Sequence, residues 1–197
     1  AGQDLVVCLF QREDTLQEAA AVLSLSVSDV TEAERMLRSL INTVSAEERG
    51  KTPLITFCYT ANKAYPVYRL PQTTLFTQLT SFVEPSLHVF ATFYGGRLLL
   101  APDEDSLSRY IRQLDNDEVL DGALAYRAGT DGLSDSYHFM LMADFGHVLE
   151  QSGHQVHYVP EFFLRNSEFF RNFILFAQFT CADGVVYPNI VLKYKSE

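Results

Sequence analysis

The sequence contains one short pattern twice, as SDVTEAERMLRSL at residues 28–40 and as PDEDSLSRYIRQL at residues 102–114. An aspartate, two arginines and a leucine occupy matching positions, and Leu37 aligns with Ile111. An apolar run typical of a β-strand precedes each copy. The repetition therefore predicts a strand that leads into a capped helix, twice along the chain. It identifies no chemistry.

Both copies have the composition of an amphipathic helix. Thr31 and Glu34 have the spacing of a capping box, and Asp29 adds negative charge near the helix start. Apolar residues then recur at helical spacing, at Ala33, Leu37, Leu40, Ile41 and Val44 in the first copy and at Leu107, Tyr110, Ile111 and Leu114 in the second. Because each helix has a single apolar stripe, we expect both helices to cover one face of a sheet.

The strands are predicted to form hairpins. Gly95-Gly96 lies between two apolar runs, which is typical of a tight turn with positive φ. Ala182-Asp183-Gly184 lies between two longer apolar runs, and Pro188 indicates an edge strand or a bulge in the second of these. These elements predict an α+β fold that is mainly antiparallel sheet with helices on one face and a weak internal strand–helix repeat.

The chain has 197 residues, which is long enough to bury a core. We expect a single domain, or two closely packed halves of about residues 1–84 and 85–197. The chain begins with Ala1-Gly2-Gln3 instead of a methionine, so we expect it to be a piece of a longer protein. No apolar run reaches the length of about 18 residues that a membrane-spanning helix needs.

The composition is 47% hydrophobic and 20% charged, as in a globular protein, with a formal net charge of −10. An acidic chain repels phosphate backbones, and its basic residues are scattered along the sequence. We therefore expect no nucleic-acid partner.

Three cysteines, Cys8, Cys58 and Cys181, lie in apolar runs that resemble strands. The simplest interpretation is that all three are buried thiols that pack as small apolar side chains. A disulfide between two of them would need an oxidising compartment, and the spacing does not decide between these alternatives.

No motif for catalysis or for a cofactor is present. There is no GxSxG sequence, and Gly95-Gly96 lacks the following helix that a phosphate loop needs. The sequence predicts no metal site. The alternative site is His147, His154 and His157, although a strand would place His154 and His157 on opposite faces. A hydrolase assembled from distant carboxylates and these histidines is the alternative function.

The densest aromatic stretch begins at residue 162. Core packing is the simpler interpretation, and an apolar surface that contacts a partner domain or a ligand is the alternative. That candidate surface consists of Phe162, Phe163, Phe169 and Phe170.

Two parts of the sequence resemble a known family. One is the repeated unit, in which LSLSVSD at residues 23–29 and GRLLLAP at residues 96–102 each lead into a helix. The other is QF at residues 178–179, followed by VYPNIVLKY at residues 186–194. Together they resemble the bacterial cell-envelope family known as domain of unknown function 3352, whose members are large anchored proteins.

The resemblance covers most of the chain and implies no catalytic residues. It implies a periplasmic or extracellular location in the cell envelope. The partners would be other domains of the parent protein or other envelope proteins, and the membrane would be reached only through an anchor that this chain does not contain. We therefore expect a non-enzymatic interaction or ligand-binding domain without a cofactor. A purely structural spacer is a third hypothesis.

Overall fold

The computed structural model describes most of the chain as six helices and nine strands. The described residues are 4–11, 19–42, 54–61, 63–71, 88–116, 124–150 and 159–195. The chain divides into two compact units, Ala1–Asp117 and Glu118–Glu197. The expected division near residue 84 has to be corrected, because strands on either side of that position pair in one sheet.

The first unit is a six-stranded sheet with two helices. Its elements are β1 (Leu5–Gln11), β2 (Ala19–Ser26), α1 (Val30–Asn42), β3 (Ile55–Tyr59), β4 (Ala64–Pro71), β5 (His88–Tyr94), β6 (Arg97–Ala101) and α2 (Glu104–Asp115). The strand order is β1-β2-β6-β5-β4-β3, and every neighbouring pair is antiparallel. The prediction of an α+β fold with a mainly antiparallel sheet is confirmed. Gly95 and Gly96 form the predicted turn, with φ values of 54° and 79°.

The two copies of the repeat begin their helices in the same way. The Asp103 carboxylate accepts a hydrogen bond from the backbone N–H of Ser106, and the Asp29 carboxylate accepts one from Glu32 at the equivalent position. Asp29 is therefore the N-cap of α1, and the predicted capping box at Thr31 is wrong, because Thr31 already lies inside the helix. The strand–helix repeat is present in the local structure.

The two helices cover opposite faces of the sheet, so the prediction of helices on one face is wrong. Leu37 and Ile41 of α1 pack in one core with residues of β2, β4 and β5, namely Leu23, Tyr68, Leu70, Val89 and Ala91. Leu107 and Ile111 of α2 pack in another with residues of β2, β3, β4 and β6, namely Val22, Cys58, Tyr65, Val67, Leu99 and Ala101. Adjacent residues of one strand enter different cores, as Val22 and Leu23 do, because side chains alternate across a sheet.

The register between β2 and β6 explains this arrangement. Leu25 and Leu99 each lie three residues before the repeated stretch, but Leu99 pairs with Ser24 and Leu25 pairs with Leu98. Paired residues share a face, so Leu25 and Leu99 point to opposite faces. Because each helix follows its strand at the same distance in sequence, the two helices also lie on opposite faces.

A polar contact fixes α1 to the sheet. The buried hydroxyl of Tyr68 in β4 donates a hydrogen bond to the Glu34 carboxylate of α1. The guanidinium of Arg38 binds the same carboxylate at 2.8 Å and lies over the Tyr68 ring. Burial and the neighbouring carboxylate raise the pKa of Tyr68 to about 12. Tyr68 therefore stays a neutral donor under all ordinary conditions.

The second unit is a three-stranded antiparallel sheet with four short helices in its described residues. Its elements are α3 (Leu124–Thr130), β7 (Phe139–Asp144), α4 (Phe145–Glu150), α5 (Glu161–Arg165), α6 (Ser167–Phe170), β8 (Phe173–Ala182) and β9 (Val185–Tyr194). β8 is the central strand, with β7 and β9 at the edges. Pro188 therefore lies on an edge strand, as predicted. Asp183 and Gly184 form the turn between β8 and β9, both with positive φ.

One face of this sheet is covered at its centre by α3 and the loop that follows it, while Val185 and Tyr187 at one end of that face are about half exposed. We call it the closed face. Phe176 of β8 is fully buried, and its ring lies beside Tyr126 of α3, with 6.0 Å between the ring centroids. The buried Gln178 accepts a hydrogen bond from the backbone N–H of Ser134 and donates one to its carbonyl. Gly129 lets α3 approach the strand, because a Cβ there would overlap the Phe176 ring.

Replacement of Gly129 tests this packing. We expect Gly129→Ala to lower the free energy of unfolding by about 1–3 kcal/mol, because the added methyl group has no room beside Phe176. The matched control is Gly132→Ala, where nothing lies within 4 Å of the added atom and the change should stay within about 0.5 kcal/mol. Urea unfolding followed by tyrosine fluorescence measures both. Equal stability of the two variants would contradict the close approach of α3.

Candidate binding surface

The four phenylalanines of the sequence-predicted surface lie together in the second unit, but only two of them are exposed. Phe162 in α5 is 61% exposed and Phe169 in α6 is 60% exposed. Phe170 is 7% exposed and belongs to a core with Phe145 and Leu149, and Phe163 packs partly buried against that core. Phe170 therefore does not contribute to a binding surface.

Adjacent residues on a short helix point in different directions, which explains this separation. Phe163 and Phe170 point inwards, and the centroids of their rings lie 4.9 Å apart. Phe163 also stacks on Phe145 at 4.9 Å. Phe162 and Phe169 contact the outer edges of these rings in T-shaped pairs. We call these five residues the aromatic cluster.

The larger apolar surface lies on the sheet beside this cluster. Strand pairing in β7–β9 is continuous and has no bulge, so alternate residues share one face. The face opposite Phe176 carries the side chains of Phe139, Leu141, Ala143, Phe173, Leu175, Ala177, Phe179, Cys181, Val186, Pro188, Ile190, Leu192 and Tyr194. We call it the open face. None of its residues is charged.

Much of the open face is exposed to solvent. Exposed fractions range from 43% for Leu192 to 63% for Ile190, and the other large exposed residues are Phe139, Leu141, Val186 and Tyr194. At one end, Phe173 and Leu175 pack against the core formed by α4, α5 and α6. Among the described residues, these helices therefore cover the open face at the Phe173 end and leave the remaining rows exposed.

The aromatic cluster and the open face form one continuous surface. The ring centroids of Phe169 and Phe173 lie 5.0 Å apart, and those of Phe173 and Tyr194 lie 5.3 Å apart. Phe173 and Tyr194 are a cross-strand pair at the end of the open face. The exposed apolar surface therefore extends from Phe169 across the sheet to Val186.

The cysteines are free thiols, and only Cys58 is fully buried. Cys8 is half-buried, with its Sγ 3.3 Å from the hydroxyl of Tyr110. Cys181 is exposed on the open face, so the expectation that all three are buried is wrong for Cys181 and holds only in part for Cys8. Cys181 comes near the end of β8, where no helix of the described residues covers the strand.

Only one of the three histidines of the alternative metal site lies in the described part of the chain. His147 is exposed, and its ring lies 3.3 Å from the Asp144 carboxylate. His154 and His157 lie outside the described residues. In the described part of the chain, no three His, Cys, Asp or Glu side chains come close enough to hold a metal ion.

Asp144 has a structural role at the start of α4. Its carboxylate accepts hydrogen bonds from the Lys195 ammonium at 2.6 Å and from the Gly146 backbone N–H at 2.8 Å. Burial alone would raise the pKa of Asp144, but Lys195, the Gly146 N–H and His147 together lower it below its ordinary value. A carboxylate held in this way is a poor general acid, because its charged form is stabilised.

No protein-family model matches the chain, and no curated protein or solved structure is significantly similar to it. The family resemblance of the sequence therefore stays a prediction. None of the described helices is both long and apolar enough to cross a membrane.

The lowered pKa of Asp144 predicts how its contribution to stability changes with pH. The folded state favours the carboxylate, so this contribution is fully present above the unfolded pKa of about 3.9 and is lost as the pH falls through the folded pKa. We expect Asp144→Asn to destabilise the protein by about 1 kcal/mol near pH 6 and by much less below about pH 3. Urea unfolding at a series of pH values measures the difference. A difference that stays constant across that range would contradict the ion pair with Lys195.

Proposed function

We propose that the chain is a non-enzymatic interaction domain that binds an apolar partner through the open face and the adjoining exposed rings of the aromatic cluster. The observation that carries this proposal is the absence of charge from a sheet face whose large side chains are about half exposed. In a sheet with one face in water, each strand normally alternates between apolar residues on the buried face and polar residues on the face in water. Here the open face of the central strand β8 carries only apolar side chains and Cys181, and the other face carries Ile174 and Phe176 beside the polar Gln178 and Thr180. Apolar residues on both sides are typical of a strand that is covered on both sides.

The size of the surface supports this proposal. Eight large side chains are exposed along it, namely Phe139, Leu141, Phe162, Phe169, Val186, Ile190, Leu192 and Tyr194. With about half of each side chain accessible and up to about 150–250 Å² for an aromatic residue, they expose on the order of 600 Å². That area lies at the upper end of the largest apolar patches of monomeric proteins, about 300–600 Å², and such patches are often binding sites.

The chemistry of the surface selects the class of partner. A partner recognised by charge needs a carboxylate or an ammonium group at the contact, and the open face has neither. The net charge of −10 also disfavours nucleic acid. The partner is therefore a protein surface or another ligand with an apolar face of matching size.

The location is part of the proposal and depends on the family resemblance. In a cell-envelope protein, the partner would be another domain of the parent chain or a neighbouring envelope protein. The absence of charge on the open face agrees with either, because permanent interfaces resemble a hydrophobic core cut in half.

Binding of an apolar dye tests whether the open face is accessible. We expect the dye bis-ANS to bind the dilute native protein, and we expect Ile190→Lys and Leu141→Lys each to reduce the fluorescence, because each places a charge in the centre of the open face. Exposed apolar residues of the first unit, such as Leu9 and Phe57, give a remaining signal in every variant. The matched control is Met36→Lys. Met36 is 58% exposed on α1 in the first unit, and this change should leave most of the signal.

Two results would overturn the proposal. One is a native protein that binds no dye in dilute solution, and the other is binding that none of the open-face variants reduces. Circular dichroism establishes that the variants are folded. Since Ile190 and Leu141 are exposed, their replacement should not unfold the sheet.

A further inference from the structure

We infer that the partner of the open face is the same face of a second copy of this chain, so that two copies form a symmetric dimer with their three-stranded sheets packed face to face. The inference rests on the proposed function and names its partner. In a dimer with two-fold symmetry, one surface patch meets itself, so the patch has to be complementary to itself in charge and in shape.

The charge requirement is met by the open face. Two copies of a chain with a net charge of −10 repel each other, and this repulsion is smallest when they meet through surfaces that carry no charge. The open face carries no carboxylate and no basic side chain, so packing two of these faces together buries no charge. A cationic partner would gain nothing from this surface.

The shape of the face also suits a second copy. In its central row, the small Ala177 of β8 lies between Leu141 on β7 and Ile190 on β9. Ala177 is 6% exposed, whereas Leu141 is 45% and Ile190 is 63% exposed, so the row has a low centre and two raised edges. A raised edge of one copy can enter the low centre of the other, as side chains of two packed sheets interdigitate.

The area agrees with a stable dimer. About 600 Å² of apolar side chain on each copy gives on the order of 1,200 Å² in total, at the lower end of the range of about 1,200–2,000 Å² for specific interfaces. Weak and transient complexes lie at this lower end of the size range. The inference therefore predicts a dimer that dissociates on dilution.

Sedimentation equilibrium of the full chain between about 1 and 300 µM tests the inference. We expect a monomer–dimer equilibrium that high salt does not weaken, because the interface has no ion pairs to screen. Ile190→Lys and Leu141→Lys should each raise the dissociation constant about 100-fold or more, because each dimer would bury two unpaired ammonium groups. The control Met36→Lys should dimerise like the unmodified chain.

The outcomes separate this inference from the proposed function. A chain that stays monomeric across the whole range overturns the inference, and so does a dimer that neither open-face variant weakens. If the chain is monomeric while the dye still binds the open face, a different apolar partner occupies the face, and the proposed function stands without the dimer. If neither dimer nor dye binding depends on Ile190 and Leu141, both proposals fail.

Discussion

Strand β8 has apolar side chains on both of its faces, and this requires both faces of its sheet to be covered. On one side, α3 covers Phe176, because Tyr126 packs beside the Phe176 ring and Gly129 leaves room for it. On the other side, Leu175 packs against a core at one end of the sheet, and the rows around Ala177 and Phe179 extend beyond it. Among the described residues, the face of Phe176 is covered at its centre, with only Val185 and Tyr187 exposed as large apolar residues at one end, whereas the open face is covered only at the Phe173 end. The proposed function follows from this difference.

The first unit meets the same requirement in the centre of its sheet, while Leu9 on β1 and Phe57 and Tyr59 on β3 stay exposed at its edges. Its sheet also has apolar residues on both faces, and each face receives one helix. The register between β2 and β6 sends the equivalent residues Leu25 and Leu99 to opposite faces, so two copies of one sequence pattern cover two sides of one sheet. Two copies of a short strand–helix pattern can therefore cover both faces of one sheet, although the copies pack on different sides of it.

The features that the sequence predicted well are local. Asp103, placed just before an apolar helical stripe, predicts a helix start, and Gly95-Gly96 predicts a turn, because each depends on a few neighbouring residues. The errors concern contacts between distant residues. The choice of face for α1 depends on which residue of β6 pairs with Leu25, and no local pattern contains that information. Phe170 and Phe162 look alike in the sequence, and only the packing of α5 and α6 against Phe145 separates them. The stretch VYPNIVLKY at residues 186–194 could have indicated the open face. Every second residue of it, from Val186 to Tyr194, is apolar, and Lys193 lies at one of the positions in between.

Two isoleucines test the central claim most directly, because they are chemically identical and lie on opposite faces of one small sheet. Ile174 in β8 is 6% exposed on the closed face, and Ile190 in β9 is 63% exposed on the open face. Methyl NMR of the dilute protein with a soluble paramagnetic probe reports how closely solvent approaches each side chain. We expect the probe to broaden the Ile190 methyl signal strongly and to leave the Ile174 signal nearly unchanged. Equal protection of the two methyl groups would mean that the chain itself covers both faces of the sheet, and it would contradict the open face.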